Sequence, residues 1–271
     1  MFGSLPMFDF PELREQTDAL WAVWAVELTR LGLDVPSVLV RPSEVLLKHW
    51  RRPGLLVSQT CGYPYATALR NSVTTFGTFA YEIPEEPRPG FYRSVIVART
   101  DDSRGRSIVA PGDLRAFNGA TVAVNATDSL SGCVSLGAAL VNGGVTQVSN
   151  VVMTGAHANS LAALQRGEAD MAAIDAVSFA LFGDIRPGAL DGVAIVGRGP
   201  VIPCLPLVTQ DAAHVPLLQR ASTAALANLR DRSPEVLRAL RIVDVAYPHD
   251  DDYAATLVLG ELASKLLPVG V

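Results

Sequence analysis

The sequence predicts an α/β protein of two lobes, each a mainly parallel sheet flanked by helices, and three observations predict it. Three times an apolar or β-branched run gives way to a polar, glycine-bearing loop and then to a helical stretch. These are Leu55–Ser58 into Gln59–Gly62, Thr121–Val124 into Asn125–Gly132, and Val151–Met153 into Gly155–Ser160. Such junctions suit parallel strands, because a parallel neighbour needs a crossover and a helix supplies it. Residues 82 to 90 hold three prolines and a glycine, which end regular structure, and a long strand, Phe91–Arg99, emerges beyond them. The 271 residues are long for one core and suit two lobes of about 120 to 150 residues each.

Taken in order, Ser4–Phe8 reads as the tail of a first strand. Asp9, with Glu12 three residues on and Pro11 between them, starts a helix as a capping box. Leu13, Thr17, Leu20, Trp24, Leu28 and Leu31 follow at helical spacing, Gly32 stops the helix, and Trp21 and Trp24 read as core. Val38–Val40 is expected as a strand, Ser43–Trp50 as a helix, and Leu55–Ser58 and Val73–Phe79 as strands. Phe91–Arg99 then crosses to a second lobe with strands at Thr121–Val124, Val148–Val152, Met171–Ile174 and Val193–Val196. Pro203–Thr209 reads as the return. Val215–Leu229, Pro234–Leu240 and Tyr253–Leu266 are helical and expected to pack on the first lobe. Lobe 1 is thus residues 1–93 and 205–271, lobe 2 residues 94–204, with hinge crossovers near 92–97 and 203–208.

The three junctions also carry chemistry. Ser129 and Ser131 precede Cys133–Val141, an apolar helix stopped by Asn142-Gly143-Gly144. Pro64 fits the first turn of a helix after Gln59–Gly62, and His157, Asn159 and Ser160 open a third helix after Gly155. A helix start carries free N–H groups and partial positive charge, so with neighbouring hydroxyls it suits an anion. Parallel strands bring such starts to one sheet edge. Taken alone, Ser129 or Ser131 reads as an N-cap, and it is the two further junctions that favour a ligand site.

Other residues have two readings. Arg93 on the long strand is either a bidentate partner for a carboxylate or phosphate, or a solvent-facing arginine. Asp175, just after Met171–Ile174, either balances an amine on a ligand or caps the next helix. Phe8, Tyr63 and Tyr92 either wall a ligand or pack in the core. His157 can donate to an anion or be structural.

Bulk properties narrow the field. An apolar fraction of 49% with 18% charged residues describes a packed protein. The net charge is −5, and Lys48 and Lys265 are the only lysines, which argues against nucleic acid as a partner. Cys61, Cys133 and Cys204 lie far apart without CxxC spacing, and the four histidines lack ligand spacing, so neither a disulfide framework nor a metal site is expected. No phosphate loop, dinucleotide fingerprint or GxSxG turn is present, so no cofactor and no enzyme are expected. No apolar run is long enough to span a membrane, and no export signal is legible at the N-terminus, which leaves both periplasm and cytoplasm open.

Several of these stretches resemble, in order, the phosphate/phosphonate-type substrate-binding proteins of ABC transporters. They are Gln59–Pro64, Tyr92-Arg93-Ser94, Asn125 through Ser129-x-Ser131-Gly132, Gly155-x-His157 and Gly167-Glu168-Ala169-Asp170. The resemblance runs from about residue 4 to 210 and implies the type 2 periplasmic-binding-protein fold, a periplasmic location and an ABC permease as partner. It implies a small, anionic ligand in an interlobe cleft. The implied site draws on Gln59, Thr60, Cys61, Gly62, Tyr63, Asn125, Ser129, Ser131, Gly132, His157, Asn159 and Ser160, beside Phe8, Tyr92, Arg93 and Asp175. Two rivals share that fold: a cytoplasmic enzyme resembling chorismate dehydratase, and a ligand sensor.

Overall fold

A computed structural model describes residues 1–108 and 110–270. In chain order the elements are β1 (Phe2–Ser4), α1 (Arg14–Arg30), α2 (Leu46–Trp50), β2 (Leu55–Gln59), α3 (Gly62–Pro64), β3 (Thr74–Tyr81) and β4 (Phe91–Arg99). There follow α4 (Ser103–Arg106), β5 (Thr121–Val124), α5 (Ser135–Asn142), β6 (Asn150–Met153), α6 (His157–Gln165), β7 (Met171–Ile174), α7 (Ala176–Ile185) and β8 (Val193–Pro203). The chain ends with β9 (Pro206–Thr209), α8 (Val215–Arg232), α9 (Pro234–Ala239), β10 (Ile242–Ala246), α10 (Asp250–Ala254) and α11 (Thr256–Ala263). Two compact units result, one of Met1–Phe91 with Pro203–Tyr253 and one of Tyr92–Ile202 with Ala254–Val271.

The first unit is a five-stranded sheet in the order β1-β2-β9-β3-β10. β1 runs parallel to β2, whereas β9 is antiparallel to both β2 and β3, and β10 is antiparallel to β3. The expectation of a mainly parallel sheet is corrected here to a mixed one. β9 enters between β2 and β3 in the opposite sense, so those two still point the same way. α1 lays Leu20, Trp21, Trp24 and Leu28 against the sheet, all buried, and the Trp24 ring meets Phe76 and Phe79 edge-on at 6.2 and 5.8 Å. Gly3 makes that approach feasible, since a Cβ there would stand 2.0 Å from the Trp21 ring.

Two local expectations fail in this unit. Asp9 does not cap α1. Its carboxylate takes the Arg41 guanidinium through two hydrogen bonds of 2.7 and 3.1 Å, and a 3-10 turn, Pro11–Leu13, leads into the helix instead. Val38–Val40 forms no strand. Val40 gives a backbone hydrogen bond to the Gly3 carbonyl at 2.9 Å, but Val38 lies 69% exposed with nothing to pair against.

The second unit has its strands in the order β6-β5-β7-β4-β8. β5 is parallel to both β6 and β7, and β4 is antiparallel to β7, so this sheet is mixed as well. Phe117, Val122, Leu136 and Leu140 are fully buried in its core, and Leu267 packs with them. The C-terminal stretch Tyr253–Leu266, expected on the first lobe, therefore divides. Tyr253 stays in the first unit, its ring 5.2 Å from that of Tyr65 and its hydroxyl donating to the Cys204 carbonyl at 2.9 Å. α11 packs on α5, where Gly137 lets the helices close: a Cβ there would lie 2.6 Å from Cβ of Ala263. The chain thus changes unit after Phe91, Ile202 and Tyr253, whereas the sequence placed changes near 92–97 and 203–208 only.

His49 is a fully buried base in the first unit. Its Nε2 lies 2.9 Å from the Ser4 hydroxyl and its Nδ1 3.8 Å from Glu44. Burial holds its pKa below the ordinary 6.5, against the pull of Glu44. The unfolded chain therefore binds the proton more tightly. The stabilisation is complete above pH 6.5 and is lost as pH falls toward the lower folded value. His49→Gln should make the fall of the urea midpoint between about pH 7 and 5 shallower. An unchanged slope would show that His49 does not titrate on unfolding.

Candidate functional site

In the second unit β5 lies between β6 and β7, and all three run the same way. Their carboxyl ends therefore share one edge, and each feeds a loop and a helix start there. After β5 come Asn125 and Ser129, then a π-helical turn, Leu130–Val134, that runs into α5. After β6 come Gly155, whose φ of +80° turns the chain, and α6, opened by His157. After β7 comes Asp175, which opens α7. No side chain caps α6, so its first N–H groups keep their donor capacity and its positive end points at this edge.

Ser129 is the N-cap, its hydroxyl accepting from the Gly132 N–H at 3.0 Å. Ser131 is instead turned to the next loop. Its hydroxyl lies 3.1 Å from Nε2 of His157, and only 5% of the residue is exposed. Burial pushes the His157 pKa down, against the charge of Asp175 and the nearby Ala173 backbone, which favour the cation. The ring is thus neutral near pH 7 and contributes a neutral donor or acceptor. Asn125 folds over the same helix start: a Cβ at Gly132 would stand 1.7 Å from its Oδ1. That oxygen is buried without a hydrogen-bond partner. Asp128, half-buried beside them, has its pKa raised by desolvation.

Other residues proposed from the sequence serve their own loops. Nδ2 of Asn159 donates to the Thr154 carbonyl at 2.8 Å, and the fully buried Ser160 hydroxyl sits 2.7 Å from that of Thr154. Asp175 accepts from the Ser178 N–H at 2.9 Å, the N-cap reading of this residue. Tyr92 is buried in β4, while Arg93 is exposed and gives Nη1 to the Gly199 carbonyl at 3.2 Å. Sequence reading passed over Ser135, and left Ser94 out of the implied site although it quoted the stretch that holds it. Both are fully buried, neither hydroxyl has a partner, and they flank Gly199. Ser135 stands four residues after Ser131, the helical repeat that could have flagged it.

In the first unit β1, β2 and β3 likewise point one way, and Phe8, Gln59 and Tyr81 stand at their carboxyl ends. Gln59 donates to the Tyr81 hydroxyl at 3.0 Å, and the Phe8 ring meets Tyr81 edge-on at 5.6 Å. Thr60 and Tyr63 are buried, Thr60 giving its N–H to the Pro206 carbonyl at 3.0 Å. Cys61 precedes α3 in extended backbone and Gly62 begins it. Tyr81 was missed because it lies inside an apolar run that reads as core.

Ser4, His49 and Glu44 come together in the order of a serine–histidine–carboxylate triad. Ser4 and His49 are both fully buried, however, so no substrate reaches them. Burial pushes the Cys133 thiol up to about 12, far from a nucleophile's range. Among the described residues no group of three or more His, Cys, Asp or Glu side chains could hold a metal ion, and no helix is long and apolar enough to cross a membrane.

Residues 2–253 match the family model described as ABC transporter, phosphonate, periplasmic substrate-binding protein. The chain belongs to this family. Its members are periplasmic solute-binding proteins rather than enzymes, which fixes the role as capture of a small molecule for a permease. No curated protein matches the chain in sequence. Among solved structures it is similar to PhnD1 from Prochlorococcus marinus in complex with methylphosphonate, with 15% identity, a TM-score of 0.73 and coverage of 97% of this chain and 98% of that one. A binding component of a phosphonate transporter from Pseudomonas aeruginosa aligns at 15% identity and TM-score 0.61, over 97% and 86% of the two chains. The periplasmic aliphatic sulphonate binding protein SsuA from Escherichia coli aligns at 17% and 0.56, over 91% and 82%. At these identities the likeness establishes the periplasmic-binding-protein fold.

The contact between Gly132 and Asn125 predicts that Gly132→Ala, by forcing Asn125 out, lowers unfolding free energy by about 1–3 kcal/mol. Chemical denaturation checks this. A variant as stable as the parent would show that the loop absorbs the methyl group freely.

Proposed function

We propose that this protein binds a small oxyanion of the phosphonate or phosphate class and passes it to an ABC permease. The carrying observation is the Ser131–His157 pair at 3.1 Å, set between the starts of the α5 run and α6 at one sheet edge. A negative charge there would meet N–H groups at the positive ends of two helices, with the Ser131 hydroxyl, itself taking the Nε2–H of His157, supplying one further neutral donor. None of these groups needs to be charged. The net charge of −5 is no obstacle, because the field at a helix start is local. In the first unit Gln59 through Tyr63 stand at the carboxyl edge of their own sheet and are proposed as a ligand-contacting loop of that unit.

Asn125 favours phosphonate over sulphonate. Its Oδ1 is an acceptor buried without a partner at the same helix start. A phosphonate monoanion keeps one O–H and can donate to it, whereas a sulphonate keeps none and would leave it unpaired.

Calorimetry with methylphosphonate, inorganic phosphate and methanesulphonate tests both statements. Methylphosphonate should bind, and methanesulphonate should bind roughly tenfold to a hundredfold more weakly. Ser131→Ala should cost methylphosphonate a similar factor. Undiminished binding by Ser131→Ala would move the anion elsewhere, and equal affinity for the two acids would remove Asn125 from the selectivity.

A further inference from the structure

The chain passes between the units three times, and the first unit's last residues at these passages are Phe91, Pro203 and Tyr253. Far apart in sequence, the three ends are joined to one another inside the first unit. The Cys204 N–H donates to the Gly90 carbonyl at 2.8 Å, and the Tyr253 hydroxyl donates to the Cys204 carbonyl at 2.9 Å. Cys204, at the second passage, thus gives its N–H to the first and its carbonyl to the third. All three residues are buried, so either bond, if broken, strands a polar group away from water.

Each end is also set in the body of the unit. Gly90 has φ +79°, and a Cβ there would stand 2.6 Å from Cβ of Ala246, so glycine brings this backbone against β10. The Leu205 carbonyl accepts from the buried Thr78 hydroxyl at 2.7 Å, which ties the second passage to β3. The Tyr253 ring lies 5.2 Å from that of Tyr65, whose hydroxyl donates to Asp250 at 2.6 Å, and Arg70 pairs with the same carboxylate. Burial pushes the Tyr253 pKa up, so its hydroxyl stays a donor.

Arg88 adds a second link between the first passage and the third. Its guanidinium lies 3.7 Å from the centre of the Phe91 ring and 3.5 Å from the Asp252 carboxylate. An exposed ion pair of this kind is weak, but stacking on the ring adds a cation–π attraction.

We propose that Gly90, Cys204 and Tyr253 form a node through which the three passages yield together, with Arg88 as a brace across the first and third. Movement of the second unit relative to the first then bends the chain just outside this node, and no passage bends alone. The node belongs to the first unit, and its role holds whichever molecule the protein binds.

Amide-resolved hydrogen exchange on the unliganded full chain tests this in the parent, Arg88→Ala, Tyr253→Phe and the double variant. Arg88→Ala should speed exchange of the Cys204 N–H about two- to fivefold, although Arg88 makes no hydrogen bond or ion pair with the second passage among the described residues. Tyr253→Phe should speed it about two- to tenfold, and with it the amides of Phe91 and Ala254. The double variant should exchange little faster than the faster single one, because a node already open gains little from a second cut. Amides of β2 and β5 should keep their parental rates, which separates this opening from a general loss of stability. Effects that stay at the passages each side chain touches, or that add fully in the double variant, would overturn the node. Should Tyr253→Phe fail to fold, Arg88→Ala decides alone: its side chain is 61% exposed, and an unchanged Cys204 rate would overturn the node.

Discussion

The candidate anion site depends on one constraint, the parallel pairing of β5 with β6 on one side and β7 on the other. The register sets Val124 opposite Met153 and Val122 opposite Met171. Asn125, Thr154 and Asp175 therefore leave the sheet at one edge. An antiparallel neighbour would have sent its loop to the far edge. Asp170 helps hold this arrangement. Its carboxylate takes the Thr121 N–H at 2.8 Å, its own N–H goes to the Thr121 carbonyl at 2.8 Å, and Arg104 steadies it at 2.8 Å. The Gly167-Glu168-Ala169-Asp170 stretch is thus a register pin at the opposite end of the strands from the site. Such a pin acts on the ligand only through the strands it aligns.

Around that edge most polar groups complete the loops themselves. Ser129, Asn159, Ser160 and Asp175 each close a local hydrogen bond, which keeps three helix starts in place. Ser131, His157 and the uncapped start of α6 remain turned toward one another's neighbourhood. The division follows from cost. A buried polar group left unsatisfied destabilises the fold by about 1–3 kcal/mol. Only a few groups can therefore be left available for a ligand, and the rest must hold them still.

The two sheets are mixed rather than mainly parallel, yet each keeps a parallel trio that opens its loops on one edge. The antiparallel strands β9 and β4 belong to the segments where the chain changes unit, so a strand returning in the opposite sense is the consequence of threading one chain through two units. That framework is shared with binding proteins at 15 to 17% identity, one in complex with methylphosphonate and one an aliphatic sulphonate binding protein.

The sequence by itself determined the elements that its local pattern dictates. Phe91–Arg99, Thr121–Val124 and Met171–Ile174 were read to the residue, because β-branched and apolar runs bounded by turns leave the backbone little choice. The family, and the three strand–loop–helix junctions, were legible for the same reason: they are contiguous stretches. Only the tertiary structure decided how distant groups pair. Whether Ser129 or Ser131 is the cap depended on which faced Gly132 and which faced His157 across 26 residues. Asp9 left its capping role because Arg41 lay within reach, and α11 joined the second unit because Gly137 and Ala263 are both small enough to touch. Local pattern fixes which residues enter a strand or helix, whereas packing fixes which side chain a polar atom meets, and no periodicity records that.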